Sequence, residues 1–91
     1  MPITLQVPTV LARHAENAST LQANGRTLGE VVSEVGRRYP ALAERLRDAK
    51  GDVYPHVNLY VNDEDARFLG GFSTPLRDGD VVTVVPAVAG G

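Results

Sequence analysis

Two segments of the chain alternate between apolar and polar residues, which is the pattern of strands that bury one face. In residues 3–7 every second residue is apolar, and Pro8 closes the segment. Residues 57–61 repeat the pattern, and the polar turn 62–65 follows them. Because successive side chains of a strand point to opposite faces of a sheet, both segments are predicted to be strands.

A different period marks a helix between these two strands. Thr27 and Glu30 have the spacing of a capping box, in which the Thr27 hydroxyl accepts from the amide three residues on and Glu30 reaches back to the Thr27 amide. Apolar residues at a spacing of three and four then form one stripe, composed of Leu28, Val31, Val32, Val35 and Tyr39. Pro40 ends this helix, and a second short helical turn is predicted over residues 41–46.

Turn residues divide the rest of the chain into short strands. Residues 19–22 are predicted to be a strand that ends at Asn24-Gly25 and completes a hairpin with the first strand. Residues 66–68 are predicted to be a short return strand, ended by a backbone bend at Gly70-Gly71. A strong turn signal at residues 77–80 then introduces the last strand.

The last strand, residues 81–85, is almost entirely valine. A nearly continuous apolar run is typical of a strand buried on both faces, so we expect this strand at the centre of a mixed sheet. The predicted order is β-β-α-β-β-β, with one main helix packed on the sheet. This order indicates an α+β fold.

Composition and charge exclude several functional classes. The 91 residues are enough for one domain with a single core, and 43% hydrophobic with 22% charged residues is ordinary for a folded domain. The absence of cysteine excludes disulfides, zinc ribbons, iron–sulfur clusters and thiol catalysis. A net charge of −2 without a basic stripe argues against a nucleic-acid partner. The N-terminus resembles neither a signal peptide nor a membrane span, so we expect a cytoplasmic protein.

Three further features have both a functional and a structural interpretation. His14 and His56 lack a second ligand at useful spacing, so surface or loop histidines are favoured over a metal site. Residues 63–65 are acidic but lack the alternating ligands of a calcium loop, which favours a solvated turn. No Lys-Ser/Thr follows Gly70-Gly71, which favours a bend over a phosphate loop.

No nucleophile–base pair or cofactor motif is present, so the chain is not expected to be an enzyme.

The chain ends in a segment suited to chemistry on its carboxylate. Pro86 cannot donate a ladder hydrogen bond and is a natural place for the chain to leave the sheet, so we predict a domain over residues 1–85 and a flexible tail over 86–91. Extended, this tail reaches roughly 20 Å. Gly90-Gly91 lacks Cβ atoms and can lie flat in a narrow channel. A chance ending or a cloning scar is the alternative interpretation.

These elements together resemble the ubiquitin-like β-grasp sulfur carriers of the ThiS/MoaD type. The residues that carry the resemblance are Val-Asn-Leu-Tyr-Val-Asn-Asp-Glu-Asp at 57–65, Leu-Arg-Asp-Gly-Asp at 76–80 and Val-Pro-Ala-Val-Ala-Gly-Gly at 85–91. The resemblance covers nearly the whole chain and is greatest to a member used in cysteine formation. The combination of turn, strand and tail is specific, whereas a Gly-Gly ending alone is not.

The resemblance implies a carrier acted on by other proteins. A ThiF/MoeB-type activating enzyme, using ATP and Mg, would adenylate Gly91, and a sulfur source would convert the adenylate to a thiocarboxylate. A sulfur-accepting synthase would then make a metabolite of the cysteine, thiosugar, thiamin or molybdopterin type. The chain itself would bind no cofactor or metal and would be a monomer when free. The residues expected to thread the tail into partner sites are Pro86, Ala87, Val88, Ala89 and Gly90.

A docking surface and two further functions remain open at this point. Phe68, Leu69 and Phe72 either cover the edge of the core or form an apolar patch for the activating enzyme. Arg67 and Arg77 either frame that patch or belong to the solvated surface. The same fold is also compatible with a protein modifier joined to lysine through Gly91, and with a plain interaction domain for which the two glycines do not matter.

Overall fold

The computed structural model describes residues 2–54 and 57–86. In chain order these residues form strands β1 to β5, helices α1 to α3 and three short 3-10 turns. Their bounds are β1 Ile3–Gln6, α1 Thr9–Ala12, a 3-10 turn Arg13–Ala15, β2 Thr20–Ala23, α2 Leu28–Arg38, α3 Pro40–Ala43, β3 Val57–Val61, β4 Glu64–Asp65, 3-10 turns Ala66–Phe68 and Gly71–Ser73, and β5 Val81–Pro86.

The five strands form one mixed sheet in the order β2-β1-β5-β3-β4. Strand β1 pairs antiparallel with β2 and parallel with β5, while β3 pairs antiparallel with both β5 and β4. The last strand therefore lies at the centre of the sheet, and the predicted α+β fold with a mixed sheet is confirmed. The hairpin between β1 and β2 is also confirmed, although α1 and a 3-10 turn lie between its strands.

Helix α2 packs its predicted apolar stripe against the sheet. Leu28, Val31, Val32 and Val35 are fully buried, and Tyr39 packs against the same core from a half-buried position. The Thr27 hydroxyl accepts from the Glu30 amide at 3.2 Å, as the capping box predicted. The Glu30 carboxylate, however, accepts from the Arg26 amide at 2.9 Å and not from the predicted Thr27 amide.

The predicted return strand over residues 66–68 is wrong by a few positions. Strand β4 consists of Glu64 and Asp65, and residues 66–68 form a 3-10 turn. The Asp65 carboxylate accepts a hydrogen bond from the Arg67 amide at 2.9 Å, which caps the turn. This local bond competes with strand pairing and ends β4 after two residues.

Strand β5 buries one face and not both. Val82 and Val84 are buried, whereas Val81 and Thr83 are half-buried and Val85 is 37% exposed. The helices pack on one face of the sheet, and no described element covers the outer face. The valine run therefore reflects the preference of β-branched residues for strands as much as burial.

The bend at Gly70-Gly71 is confirmed, since these residues have φ angles of 122° and 59°. Both values lie in the region that favours glycine. Within residues 2–54 and 57–86, no helix combines the length and apolar character needed to cross a membrane.

Candidate functional site at the end of strand β5

The candidate site lies where the last strand ends. Pro86, expected to be the first residue of the tail, is the final residue of β5 and lies opposite Val57 of β3. The other tail residues predicted to act on partners, Ala87, Val88, Ala89, Gly90 and Gly91, lie outside the described residues. The structure thus fixes the base from which they continue.

Pro86 occupies a position at which its missing amide hydrogen costs the sheet no bond. The Asn62 amide donates to the Val81 carbonyl at 2.9 Å, which makes this opposed pair a hydrogen-bonded one. Hydrogen-bonded and non-hydrogen-bonded pairs alternate along an antiparallel ladder, so Asn58 and Val85 form a bonded pair and Val57 and Pro86 do not. The nitrogen of Pro86 faces the side of β1, which has already ended at Gln6.

Arg67 lies beside the first residues of β3, on the side away from β5. Its Nη2 donates to the Val57 carbonyl at 2.8 Å and to the Tyr54 carbonyl at 3.5 Å, and its Nη1 donates to Asn58 Oδ1. The Asp65 carboxylate lies 3.9 Å from Nη1. The sequence was compatible with Arg67 at the rim of the predicted docking patch or on the solvated surface. The structure shows that its guanidinium is held by these four neighbours.

The three residues of the predicted docking patch differ in their exposure. Phe68 is 88% exposed, whereas Leu69 and Phe72 are half-buried and pack against the core. The Arg47 guanidinium lies over the Phe72 ring, 4.7 Å from its centroid. Of the three, Phe68 is therefore the one that offers a partner a nearly complete apolar side chain.

The outer face of the sheet adds a feature that sequence reasoning missed. Tyr60, Asp63, Thr83 and Val85 line a shallow recess of about 370 Å³ on this face. Tyr60 lies opposite Thr83, and Val85 lies opposite Asn58, which places the recess along the last part of β5. The alternation of Thr83 with its valine neighbours was the available signal that this face is open.

Comparison with protein families decides where this arrangement belongs. A model of the ThiS family matches residues 5–91. This range includes helix α2, the terminal glycines and all of the sheet except Ile3 and Thr4 of β1. The chain belongs to the ThiS family. The resemblance drawn from the strand, turn and tail motifs is confirmed.

Members of the family and proteins of the same fold are similar over most of the chain. "Sulfur carrier protein CysO" of Mycobacterium tuberculosis (strain ATCC 25618 / H37Rv) is 46% identical over 93 residues, which cover 100% of both chains. "Small archaeal modifier protein 3" of Haloferax volcanii is 45% identical over 65 residues, 71% of this chain and 70% of the relative. The crystal structure of the Amycolatopsis orientalis BexX/CysO complex contains a chain that is 38% identical, with a TM-score of 0.90 over 98% of this chain and 99% of that one.

The other end of β5 is held by a side-chain network in this ThiS-family chain. Asp80 accepts from the Arg77 amide at 2.8 Å and from Asn62 Nδ2 at 2.9 Å, and Asn62 Oδ1 accepts from the Val81 amide at 3.0 Å. The bond from the Arg77 amide, followed by that from Asn62, holds the pKa of Asp80 below its ordinary value. The network joins the turn before β5 to the turn after β3.

Asp80→Asn is expected to remove part of the pH dependence of stability. Because the pKa of Asp80 is lower in the folded state, its carboxylate stabilises the fold above its unfolded-state pKa, and this contribution is lost as pH falls through the folded-state pKa. At neutral pH wild type should therefore be more stable than Asp80→Asn, and the difference should shrink in acid. Urea denaturation of both proteins from neutral to acid pH measures this difference in stability. A difference that is constant with pH would contradict the contribution assigned to the Asp80 carboxylate.

The histidines and acidic residues do not form a metal centre among the described residues. No group of three His, Asp or Glu side chains in residues 2–54 and 57–86 could hold a metal ion. Burial and then the charges of Arg45 and Arg13 hold the pKa of His14 below its ordinary value. His56 lies outside the described residues.

Proposed function

We propose that the protein is a sulfur carrier whose Gly91 carboxylate is activated by a partner enzyme and converted to a thiocarboxylate. The observation that carries this proposal is the 46% identity to a protein named as a sulfur carrier, in an alignment that covers the whole of this chain, which ends in Gly-Gly. The fold supports it, because the tail continues from the central strand of the sheet.

The chemistry requires activation before sulfur can be introduced. A carboxylate is a poor electrophile, so one of its oxygens attacks the α-phosphorus of ATP, and pyrophosphate leaves. A sulfur nucleophile then attacks the acyl carbon, and AMP leaves with the oxygen that joined them. The product is a thiocarboxylate, a nucleophile that passes its sulfur to an acceptor. Gly90 supplies the clearance around the acyl carbon, since it has no side chain.

The chain serves in this scheme as a co-substrate and not as an enzyme. A ThiF/MoeB-type enzyme would use ATP and Mg for the adenylation, and a separate synthase would accept the sulfur. The crystal structure of the BexX/CysO complex supports a function that depends on a partner protein, because in that complex a protein similar to this chain is bound to another protein. ATP-dependent activation favours a cytoplasmic location. Nucleic acid and membrane are not proposed as partners.

Mass spectrometry of the intact protein tests the proposal. The protein is incubated with ATP, Mg, a ThiF/MoeB-type enzyme and sulfide, and a parallel reaction omits ATP. We expect the ATP-containing reaction to yield the mass of a chain in which one oxygen has been replaced by sulfur. Failure to gain sulfur with a cognate activating enzyme would leave a plain interaction domain as the better account.

A protein-modifier role is the second candidate, and the similarity to "Small archaeal modifier protein 3" favours it specifically. Both functions begin with adenylation of Gly91, and they diverge at the acceptor. A modifier would form covalent ladders with other proteins, whereas a carrier would release its sulfur and return to its original mass. Immunoblots of the host lysate and the mass of the recycled chain separate the two.

Phe68→Ala is expected to weaken activation without weakening the fold. The ring is 88% exposed, so its removal costs little buried contact, but an exposed aromatic residue is a common anchor in interfaces. We expect the KM for the carrier in the adenylation assay to rise about tenfold, with an unchanged melting temperature. Phe72→Ala is the matched control, because it should lower the melting temperature and leave KM nearly unchanged. An unchanged KM for Phe68→Ala would place the docking surface elsewhere, with the outer recess as the next candidate.

A further inference from the structure

Among the described residues, the last residues of β5 pair with one neighbouring strand, β3. Strand β1 pairs with β5 only as far as Gln6 opposite Thr83, so the ladder to β1 ends before Val84. From Val84 to Pro86 the pairing partners of β5 are Val57 to Leu59 of β3. The base of the tail is therefore held in the sheet by the first half of β3.

That half of β3 has no strand on its other side among the described residues. Strand β4 pairs only with Tyr60 and Val61, because it ends at Asp65. The chain continues past β4 as a 3-10 turn. The Arg67 side chain occupies the place of the missing strand, where it binds the Val57 carbonyl and the side-chain Oδ1 of Asn58. A side chain thus replaces the ladder on the side of β3 that lies opposite the end of β5.

We propose that Arg67 is the positioning residue of the C-terminal tail. Its guanidinium fixes Val57 and Asn58, the bonded pair of Asn58 with Val85 holds the end of β5, and the tail continues from Pro86. This inference rests on the proposed function, since the tail must enter a partner's active site in one orientation. In this proposal Arg67 acts on the reaction through the sheet.

The geometry requires arginine and not merely a positive charge. Nη1 and Nη2 bind acceptors on two successive residues of β3, and Nη2 also reaches the carbonyl of Tyr54. A planar guanidinium presents donors in a fixed fork, whereas the ammonium group of lysine is a single centre on a flexible stem. Arg67→Lys therefore keeps the charge and loses the bridge.

Amide hydrogen exchange tests the effect on the sheet independently of any enzyme. In Arg67→Ala and Arg67→Lys we expect the amides of Asn58 and Val85 to exchange at least about tenfold faster, since a charge-assisted hydrogen bond is lost at this end. The Asn62 amide, which bonds to Val81 at the other end of the same ladder, should exchange as in wild type. Arg37→Ala is the control, because Arg37 is an exposed arginine on α2. Unchanged exchange at Asn58 and Val85 would overturn the proposal.

Kinetics with the activating enzyme then separate positioning from docking. A misdirected tail lowers the fraction of productive complexes, so we expect kcat to fall roughly tenfold in both Arg67 variants while KM stays within about twofold. A rise in KM alone, or wild-type kcat in Arg67→Lys, would show that Arg67 acts through contact or charge and would overturn the proposal. If wild type itself gains no sulfur, the carrier function fails, and hydrogen exchange still decides the role of Arg67 in the sheet.

Discussion

Val35→Asp is expected to destabilise the fold severely. Val35 is completely buried in the stripe of α2 that faces the sheet, and its neighbours in that stripe are apolar. An aspartate there removes apolar contacts and buries a charge without a partner, an effect of about 4–5 kcal/mol or more. A domain of this size has only about 5–15 kcal/mol of stability, so the variant should lose a large part of it and unfold at a much lower urea concentration. Far-UV circular dichroism and urea denaturation measure the outcome.

Ser33→Asp is the matched control for this variant. Ser33 is an exposed residue of the same helix, so the same substitution should change stability by no more than about 0.5 kcal/mol. A cooperatively folded Val35→Asp protein with nearly wild-type stability would contradict the packing of α2 on the sheet.

Deletion of Gly90 and Gly91 is expected to abolish sulfur transfer and to leave the fold intact. Among the described residues the core ends at Val84 and β5 at Pro86, and glycine has no side chain, so we expect the deletion to cost little buried contact. The tail becomes shorter by roughly 7 Å, which withdraws the new terminal carboxylate from the position that the activating enzyme acts on. The truncated protein should melt like wild type and show no gain of sulfur by mass spectrometry.

Gly90→Val separates the length of the tail from its shape. The chain keeps its full length and its terminal carboxylate, but a β-branched side chain restricts the backbone next to the acyl carbon. We expect normal folding and a slower adenylation, lower by roughly 10- to 100-fold if the geometry of attack is disturbed. Sulfur transfer by the truncated chain, or a wild-type rate for Gly90→Val, would contradict the assigned roles of these glycines.

Much of the fold could be predicted because local patterns and tertiary packing agree. The period-two segments became β1 and β3, and the stripe after Thr27 became the buried face of α2. The capping pair fixed the start of that helix, since the Thr27 hydroxyl bond depends only on residues three apart. Such features are encoded within one turn or one strand and need no knowledge of distant residues.

The two errors have different causes, one set by tertiary packing and one by a local hydrogen bond. The exposed face of β5 depends on whether another layer covers it, and its valines are favourable in a strand either way. The end of β4 depends on a bond between the Asp65 carboxylate and the Arg67 amide that competes with a strand equally compatible with the sequence. Composition alone does not decide either competition.

The sequence predicts the terminal glycines of the candidate site, but it does not predict the side chain that holds the base of the tail. The terminal glycines are visible in the sequence, whereas the role of Arg67 depends on the register of β3 against β5. The patch of Phe68, Leu69 and Phe72 was likewise divided by tertiary contacts, since Arg47 reaches Phe72 from a distant part of the chain. An arginine next to an acidic turn offers no local signal of such a role.

The mass of one tryptic peptide tests the central claim most directly. Trypsin cleavage after Arg77 releases residues 78–91, which contain neither cysteine nor methionine, so this peptide holds no sulfur of its own. After reaction with ATP, Mg, the activating enzyme and sulfide, the account predicts that this peptide gains one sulfur in place of one oxygen, and fragmentation places it on Gly91. A peptide of unchanged mass in the presence of an active cognate enzyme, or sulfur found only in another part of the chain, would contradict the account.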